Sequence, residues 1–227
     1  IKKASHIICI SNETKKDLIK YYKVDKKKIS IIYLGVDIKK RNTIKKKNYI
    51  LFVGSRTRYK NFINFVKAFN SSKFLKEKYS ILCFGGGKFT FKELTLFKKL
   101  GLLKKIKLTE GNDRKLENSF KKASLFVTTS TDEGFGLTPF EAMNFGCPVV
   151  CGNLRVFREN LLNCCYFVDV KSITQIKIGI EKVLKNTELK KRLIKNSYKK
   201  IKQFTWNKVS LQTLFVYQKV MKLRKNL

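Results

Sequence analysis

Acidic residues number 16 against 51 lysines and arginines, and two of them, Glu133 and Glu141, bracket the run GFGLTPF. Gly134 and Gly136 let a backbone turn sharply and come close to a ligand. The N–H groups that open the following helix would then form an anion site. Thr138, Pro139 and Glu141 carry the pattern of a capping box, with Thr138 at the N-cap, Pro139 at the first helical position and Glu141 three residues past the cap. That pattern gives Glu141 a structural duty and leaves Glu133 unexplained. A second group lies in GSRTRYKN, where Arg56 and Lys60 follow Gly54 in a turn and could clamp a pyrophosphate. Arg58, between them, is expected to be solvated. Gly85-Gly86-Gly87 lacks the GxGxxG spacing of dinucleotide binders and is expected to be a flexible turn. TEGN, before Asp113, is ordinary turn chemistry.

These loops need strands and helices to hold them. Short apolar runs alternate with amphipathic stretches along the whole chain. HIICIS, ISIIYL, YILFVG, YSILCF, KIKLT, LFVTTS, PVVCG and YFVD are expected strands. Helices are expected over 12–22 (capped by Ser11 or Asn12), near 60–72, near 90–100, from Asp113, from Thr138 and through the last 55 or so residues. Strands separated by helices of this length imply βαβ units and a parallel sheet. Their continuous apolarity implies burial on both faces. The fold class is therefore α/β, a Rossmann-like parallel sheet with an orphan βαβ unit before it and helices after it. Ligands of such sheets bind at the carboxyl ends of the strands, where the glycine-containing loops lie.

The net charge of +35 invites a nucleic-acid reading, since clustered cations release counterions from phosphate. Only eight of the 51 basic residues are Arg, however, and the lysines run along nearly the whole chain. With abundant Ile, Asn, Phe and Tyr, this is what an AT-rich genome encodes, over a solvated surface. Attraction to an anionic membrane is the next reading, and nucleic acid a third. The six cysteines show no CxxC spacing, and a single histidine, His6, argues against a His/Cys zinc site. Buried, reduced thiols in a cytosolic compartment are expected. No apolar run approaches the ~18–20 residues of a membrane span. IKKASHIICIS opens without Met, and the chain is expected to be a piece of a longer protein.

Together, GSRTRYKN, FGGG and TEGNDRKLENSFKKASLFVTTSTDEGFGLTPFEAMNFGCPVV resemble the family 4, or group 1, glycosyltransferases of the GT-B fold, of the type that assembles bacterial surface polysaccharides. SNETKKDLIKYYKVDKKKISIIYLGVD and FTWNKVSLQTLFVYQKV extend the likeness over almost the whole chain. The resemblance implies a C-terminal, donor-binding lobe, with residues 1–36 a remnant of the acceptor lobe, 37–48 a linker, 49–204 the nucleotide-sugar lobe and 205–227 a crossover helix. It implies that Glu133 faces the donor sugar and Glu141 the ribose hydroxyls. The backbone of Gly54 and of Gly134, Phe135, Gly136 and Leu137 would then lie against the donor, and Arg56 and Lys60 would neutralise the departing diphosphate. It further implies retaining transfer to a glycan or lipid-linked acceptor without cofactor or metal, in the cytoplasm or at the inner face of the membrane; no DxD motif is present, Asp132-Glu133 being the nearest carboxylate pair.

Two departures stand out. VFRENLLNCCYFVD keeps Glu159 but lacks the Pro and Gly-Asp the family usually carries there. Most of an acceptor lobe is also absent, so His6 is expected to be structural, and Val209, Leu211, Leu214, Phe215, Val216 and Val220 of the last helix should lack most of their partners. The alternatives are a nucleotide-sugar-binding fragment that is inactive or partner-dependent, and a basic nucleic-acid-binding protein.

Overall fold

The computed structural model describes residues 1, 3–39 and 44–225. A small parallel pair, β1 (Ile7–Cys9) and β2 (Ile29–Ile31), is joined by α1 (Asn12–Tyr22). Ser11 caps α1, its side chain accepting from the Thr14 N–H. His6 bonds the Ser30 hydroxyl at 2.9 Å across this pair, the structural part expected of it.

The main sheet holds β3 (Lys47–Val53), β4 (Ser80–Phe84), β5 (Ile106–Thr109), β6 (Ala123–Thr128), β7 (Val149–Gly152) and β8 (Tyr166–Val168). The order is β5-β4-β3-β6-β7-β8, and every pairing is parallel. Between the strands run α2 (Phe62–Asn70), α3 (Lys73–Lys78), α4 (Phe91–Lys99), α5 (Asp113–Lys122), α6 (Leu137–Asn144) and α7 (Arg155–Leu161). The chain ends in α8 (Ile173–Lys185), α9 (Thr187–Ile201) and α10 (Trp206–Lys225). Among the described residues, no helix is long and apolar enough to cross a membrane.

Alternation along each strand builds two cores. Ile50, Phe52, Ile81, Cys83, Leu125 and Val127 point to one face of the sheet, where Phe62, Phe65 and Ile180 cover them. Leu51, Phe84, Phe126, Val149 and Cys151 point to the other, against Phe120, Phe140 and Phe157. Burial on both faces is why the central positions of these strands, such as Ile50–Val53, Ile81–Phe84 and Leu125–Val127, are apolar without alternation. The six cysteines are free and buried, Cys9 in the small pair and the other five in the large lobe.

Two boundaries differ from expectation. Lys47 and Asn48 belong to β3, not to a linker, because Lys47 pairs with Ala123 and its carbonyl accepts the Ser124 hydroxyl at 2.7 Å. The stretch that begins at Asp37 is docked: the Asn144 side chain donates to the Asp37 carbonyl at 2.6 Å and accepts from the Lys39 N–H at 3.2 Å. Residues 40–43 of that expected linker lie outside the described residues.

One carboxylate ties the small pair to the large lobe. Glu159 on α7 accepts, through a single oxygen, from the Asn12 N–H (3.0 Å), the Asn12 amide (2.8 Å) and the Tyr33 hydroxyl (2.7 Å). Burial, reinforced by Glu159, pushes the Tyr33 hydroxyl up to about 12. Glu159→Ala should raise the opening rate of β1 about tenfold relative to β3, the equivalent of ~1.4 kcal/mol, since a hydrogen bond to a charge contributes on that order. Amide exchange at Ile7–Cys9 checks it; unchanged exchange there would remove Glu159 from this role.

Helix α10 runs back along β2. Of its apolar side chains Val216 is buried, while Leu211, Leu214, Phe215, Tyr217 and Met221 remain exposed. A hollow of about 320 Å³ opens between Ile31 and Ile32 on one side and Leu211 and Phe215 on the other.

Candidate donor-binding site

The strand order reverses between β3 and β6, so the connections leaving their carboxyl ends diverge and leave a crevice there. The β3–α2 loop (54–61) and the β6–α6 loop (129–136) flank it. Thr129, buried, donates its hydroxyl to the Lys60 carbonyl at 2.9 Å, and the Thr131 N–H donates to the Tyr59 carbonyl at 2.7 Å. Thr129 carries no chemical signal in the sequence; only the register of the two loops shows what it does.

Across these loops Lys60 Nζ meets Glu133 Oε1 at 2.7 Å, each side chain retaining 18% exposure. The two residues expected to serve different parts of a donor are thus brought together, and both stay within reach of one. Arg58 is exposed, as expected.

Arg56 is placed differently from the open clamp that its loop suggests. Its side chain is 2% exposed, with Nε on Glu93 Oε1 at 2.8 Å. Nη1 donates to the Gly85 carbonyl (2.9 Å), and Nη2 to those of Gly87 (2.8 Å) and Lys88 (2.9 Å). Its guanidinium lies 4.8 Å over the Phe89 ring. Sequence reasoning missed Glu93, although Thr90-Phe91-Lys92-Glu93 carries the capping-box pattern. Here the box is formed, with Thr90 at the N-cap of α4. Burial raises the Glu93 pKa, but the Thr90 N–H and hydroxyl and the Arg56 guanidinium outweigh it, and the net shift is downward.

The same pattern at Thr138–Glu141 does not form a box. Gly136, at φ +92°, is the N-cap of α6, so Leu137 opens the helix, Thr138 and Pro139 follow inside its first turn, and no side chain caps it. Gly136 is fixed there twice over: its φ is left-handed, and a Cβ would sit 2.3 Å from Phe157 Cε1. Phe135 turns into the core, stacked on Phe140 at 5.3 Å, so only its backbone can face a ligand. Gly54, at φ +93°, has open space where a Cβ would be.

Released from capping, the Glu141 side chain forms no hydrogen bond or ion pair among the described residues. It lines a cavity of about 260 Å³ with Asp113, Asn144, Gly35 and Trp206. Burial, followed by repulsion from Asp113, raises its pKa. A half-buried carboxylate without a partner is suited to hydroxyl donors brought by a ligand. Among the described residues no cluster of three or more His, Cys, Asp or Glu side chains is arranged to hold a metal ion.

A six-stranded parallel sheet reversed at its centre is a doubly wound α/β fold, and the solved structures that superpose on this one are glycosyltransferases of the GT-B fold. A glycosyltransferase from Rickettsia africae ESF-5 superposes with a TM-score of 0.81 at 20% identity, over 96% of this chain and 64% of that one. Anabaena HepE, solved with UDP and glucose, superposes with a TM-score of 0.74 at 18% identity, over 99% and 64%. The family model of the glycosyl transferases group 1 matches residues 36–200, and that of Glycosyltransferase Family 4 matches residues 1–40. This chain belongs to the group 1 glycosyl transferases. The O-antigen chain mannosyltransferase RfbU of Salmonella typhimurium is 33% identical over 174 residues, 74% of this chain and 48% of its own. The N-acetylgalactosamine-N,N'-diacetylbacillosaminyl-diphospho-undecaprenol 4-alpha-N-acetylgalactosaminyltransferase of Campylobacter jejuni is 25% identical over 221 residues, 93% of this chain and 60% of its own. The chain spans about half the length of the curated relatives it matches.

Proposed function

We propose that this chain is the donor-binding lobe of a glycosyltransferase that moves a sugar from a nucleotide-sugar to a glycan or lipid-linked acceptor. The observation that carries the reading is the crevice itself: Lys60 and Glu133 paired across facing loops, with a partnerless Glu141 over a cavity at the helix that follows. The relatives' names, an O-antigen chain mannosyltransferase and a diphospho-undecaprenol transferase, support the acceptor class.

In this reading Glu141 accepts the ribose hydroxyls and Glu133 a hydroxyl of the donor sugar. As that hydroxyl replaces Lys60 on Glu133, the ammonium turns to the diphosphate. Negative charge grows there as the bond from the sugar's anomeric carbon breaks. Lys60 and the free N–H groups of the Gly134–Leu137 turn, already in place, stabilise it without a divalent ion, and the sugar is transferred with retention. The acceptor lobe, in cis or on a partner chain, covers the exposed face of α10. The net charge of +35 draws the protein to an anionic membrane at the cytoplasmic face, where lipid-linked acceptors are held.

Calorimetry with UDP, GDP and the other nucleoside diphosphates in the presence of EDTA tests the site. One of them should bind in 1:1 ratio. Binding by none overturns the donor reading, and binding only with added Mg²⁺ overturns the metal-independent part.

A further inference from the structure

The turn after β4 contains three successive glycines, at φ +71°, +78° and +74°. Three glycines in a row have little rigidity of their own. This turn is nevertheless pressed against the β3–α2 loop: a Cβ on Gly86 would lie 2.4 Å from the Gly54 carbonyl oxygen. Arg56 holds it by taking the carbonyls of Gly85, Gly87 and Lys88. With its carbonyls occupied from one side, the turn keeps the N–H groups of Gly86 and Gly87 uncommitted; among the described residues they donate to nothing. Arg56 is itself held by Glu93, whose other oxygen is fixed by the Thr90 N–H at 2.7 Å and hydroxyl at 2.9 Å. Successive backbone N–H groups left free in a turn can form an anion-binding concavity.

We propose that Glu93, acting through Arg56, is a positioning residue for donor binding: the pair fixes the Gly85–Lys88 turn so that the Gly86 and Gly87 N–H groups meet the donor's phosphates. Arg56 thus serves the diphosphate from behind, through the turn. This rests on the donor-site reading above.

The test compares wild type with Glu93→Gln, which keeps the cap acceptor and removes the charge that holds Arg56. Affinities for UDP or GDP and for the matching nucleoside are measured by calorimetry, with thermal melting to establish folding. Diphosphate affinity should fall about tenfold in Glu93→Gln, while nucleoside affinity stays within twofold. Arg56→Lys should behave alike, and the double variant should lose little more, because the two residues act as one unit. A folded Glu93→Gln protein with wild-type diphosphate affinity, or with equal losses for diphosphate and nucleoside, overturns the proposal. Amide exchange on wild type needs no variant: the Gly86 and Gly87 N–H groups should gain protection with diphosphate and none with nucleoside, and no such gain overturns it as well. Wild type that binds no diphosphate at all defeats the donor reading instead, a separate outcome.

Discussion

Lys60→Ala should raise the dissociation constant of the preferred nucleoside diphosphate ten- to a hundredfold in a protein that still folds, with a lowered melting temperature. A hydrogen bond to a charged group contributes roughly 1.5–3 kcal/mol, and each ~1.4 kcal/mol is tenfold in affinity. Some stability is lost as well, because the Lys60–Glu133 pair keeps only 18% exposure on each side and removing the ammonium leaves Glu133 mostly buried and unpaired. Glu133→Gln should act in the opposite direction on the diphosphate. It frees the ammonium from its carboxylate, so diphosphate affinity holds or rises while affinity for the whole nucleotide-sugar falls. A chain of charge +35 attracts any polyanion, so the titrations belong at about 0.15 M salt, where screening acts within ~8 Å. Lys73→Ala on α3, at a side chain 90% exposed, is the control for bulk charge. Equal affinities for wild type and Lys60→Ala would remove Lys60 from the site.

Glu141→Gln should separate stability from binding. Burial and Asp113 raise the folded-state pKa of Glu141 above its ordinary value of 4.5. A raised pKa means that the protonated form is favoured by folding. Its stabilising effect is complete below the unfolded pKa and is lost as pH rises through the folded one, so at neutral pH the ionised group is a cost. Gln removes that cost without changing the shape. At pH 7 the variant should melt at the same temperature as wild type or higher, and the difference should shrink as pH falls below about 4.5. Affinity for the nucleoside diphosphate should fall at least tenfold, since an amide accepts ribose hydroxyls less well than a carboxylate. A variant that melts lower at pH 7 with affinity intact would make Glu141 a structural residue.

The strands were legible because burial on both faces of a parallel sheet leaves continuous apolar runs at their centres, while the polar ends, Lys47 and Asn48 of β3, were not. Helices α3 and α7 were not, being six and seven residues long, too short for a period of 3.6 to show. Glu133, Glu141 and Lys60 stood out in the sequence because glycine, carboxylate and cation fall together in loops that leave strand ends. The direction of Arg56 was not, because Glu93 stands 37 residues away and only the β3–β4 pairing brings the two together. The two T-x-x-E patterns show the limit most clearly. Thr90–Glu93 forms the box that its letters describe, whereas Gly136 starts its helix two residues early and leaves Glu141 to the cavity.

The buried thiols give this fold a chemical clock. Burial pushes Cys83 and Cys147 up to about 12, so neither offers thiolate at neutral pH, and their sulfurs are shut from reagent until the lobe opens. Cys9 answers for the small β1–β2 unit alone. Alkylation followed by mass mapping would therefore time the two halves of the molecule separately, with no engineered label: early modification at Cys9 marks the small unit coming away, and later modification of the rest marks the sheet itself.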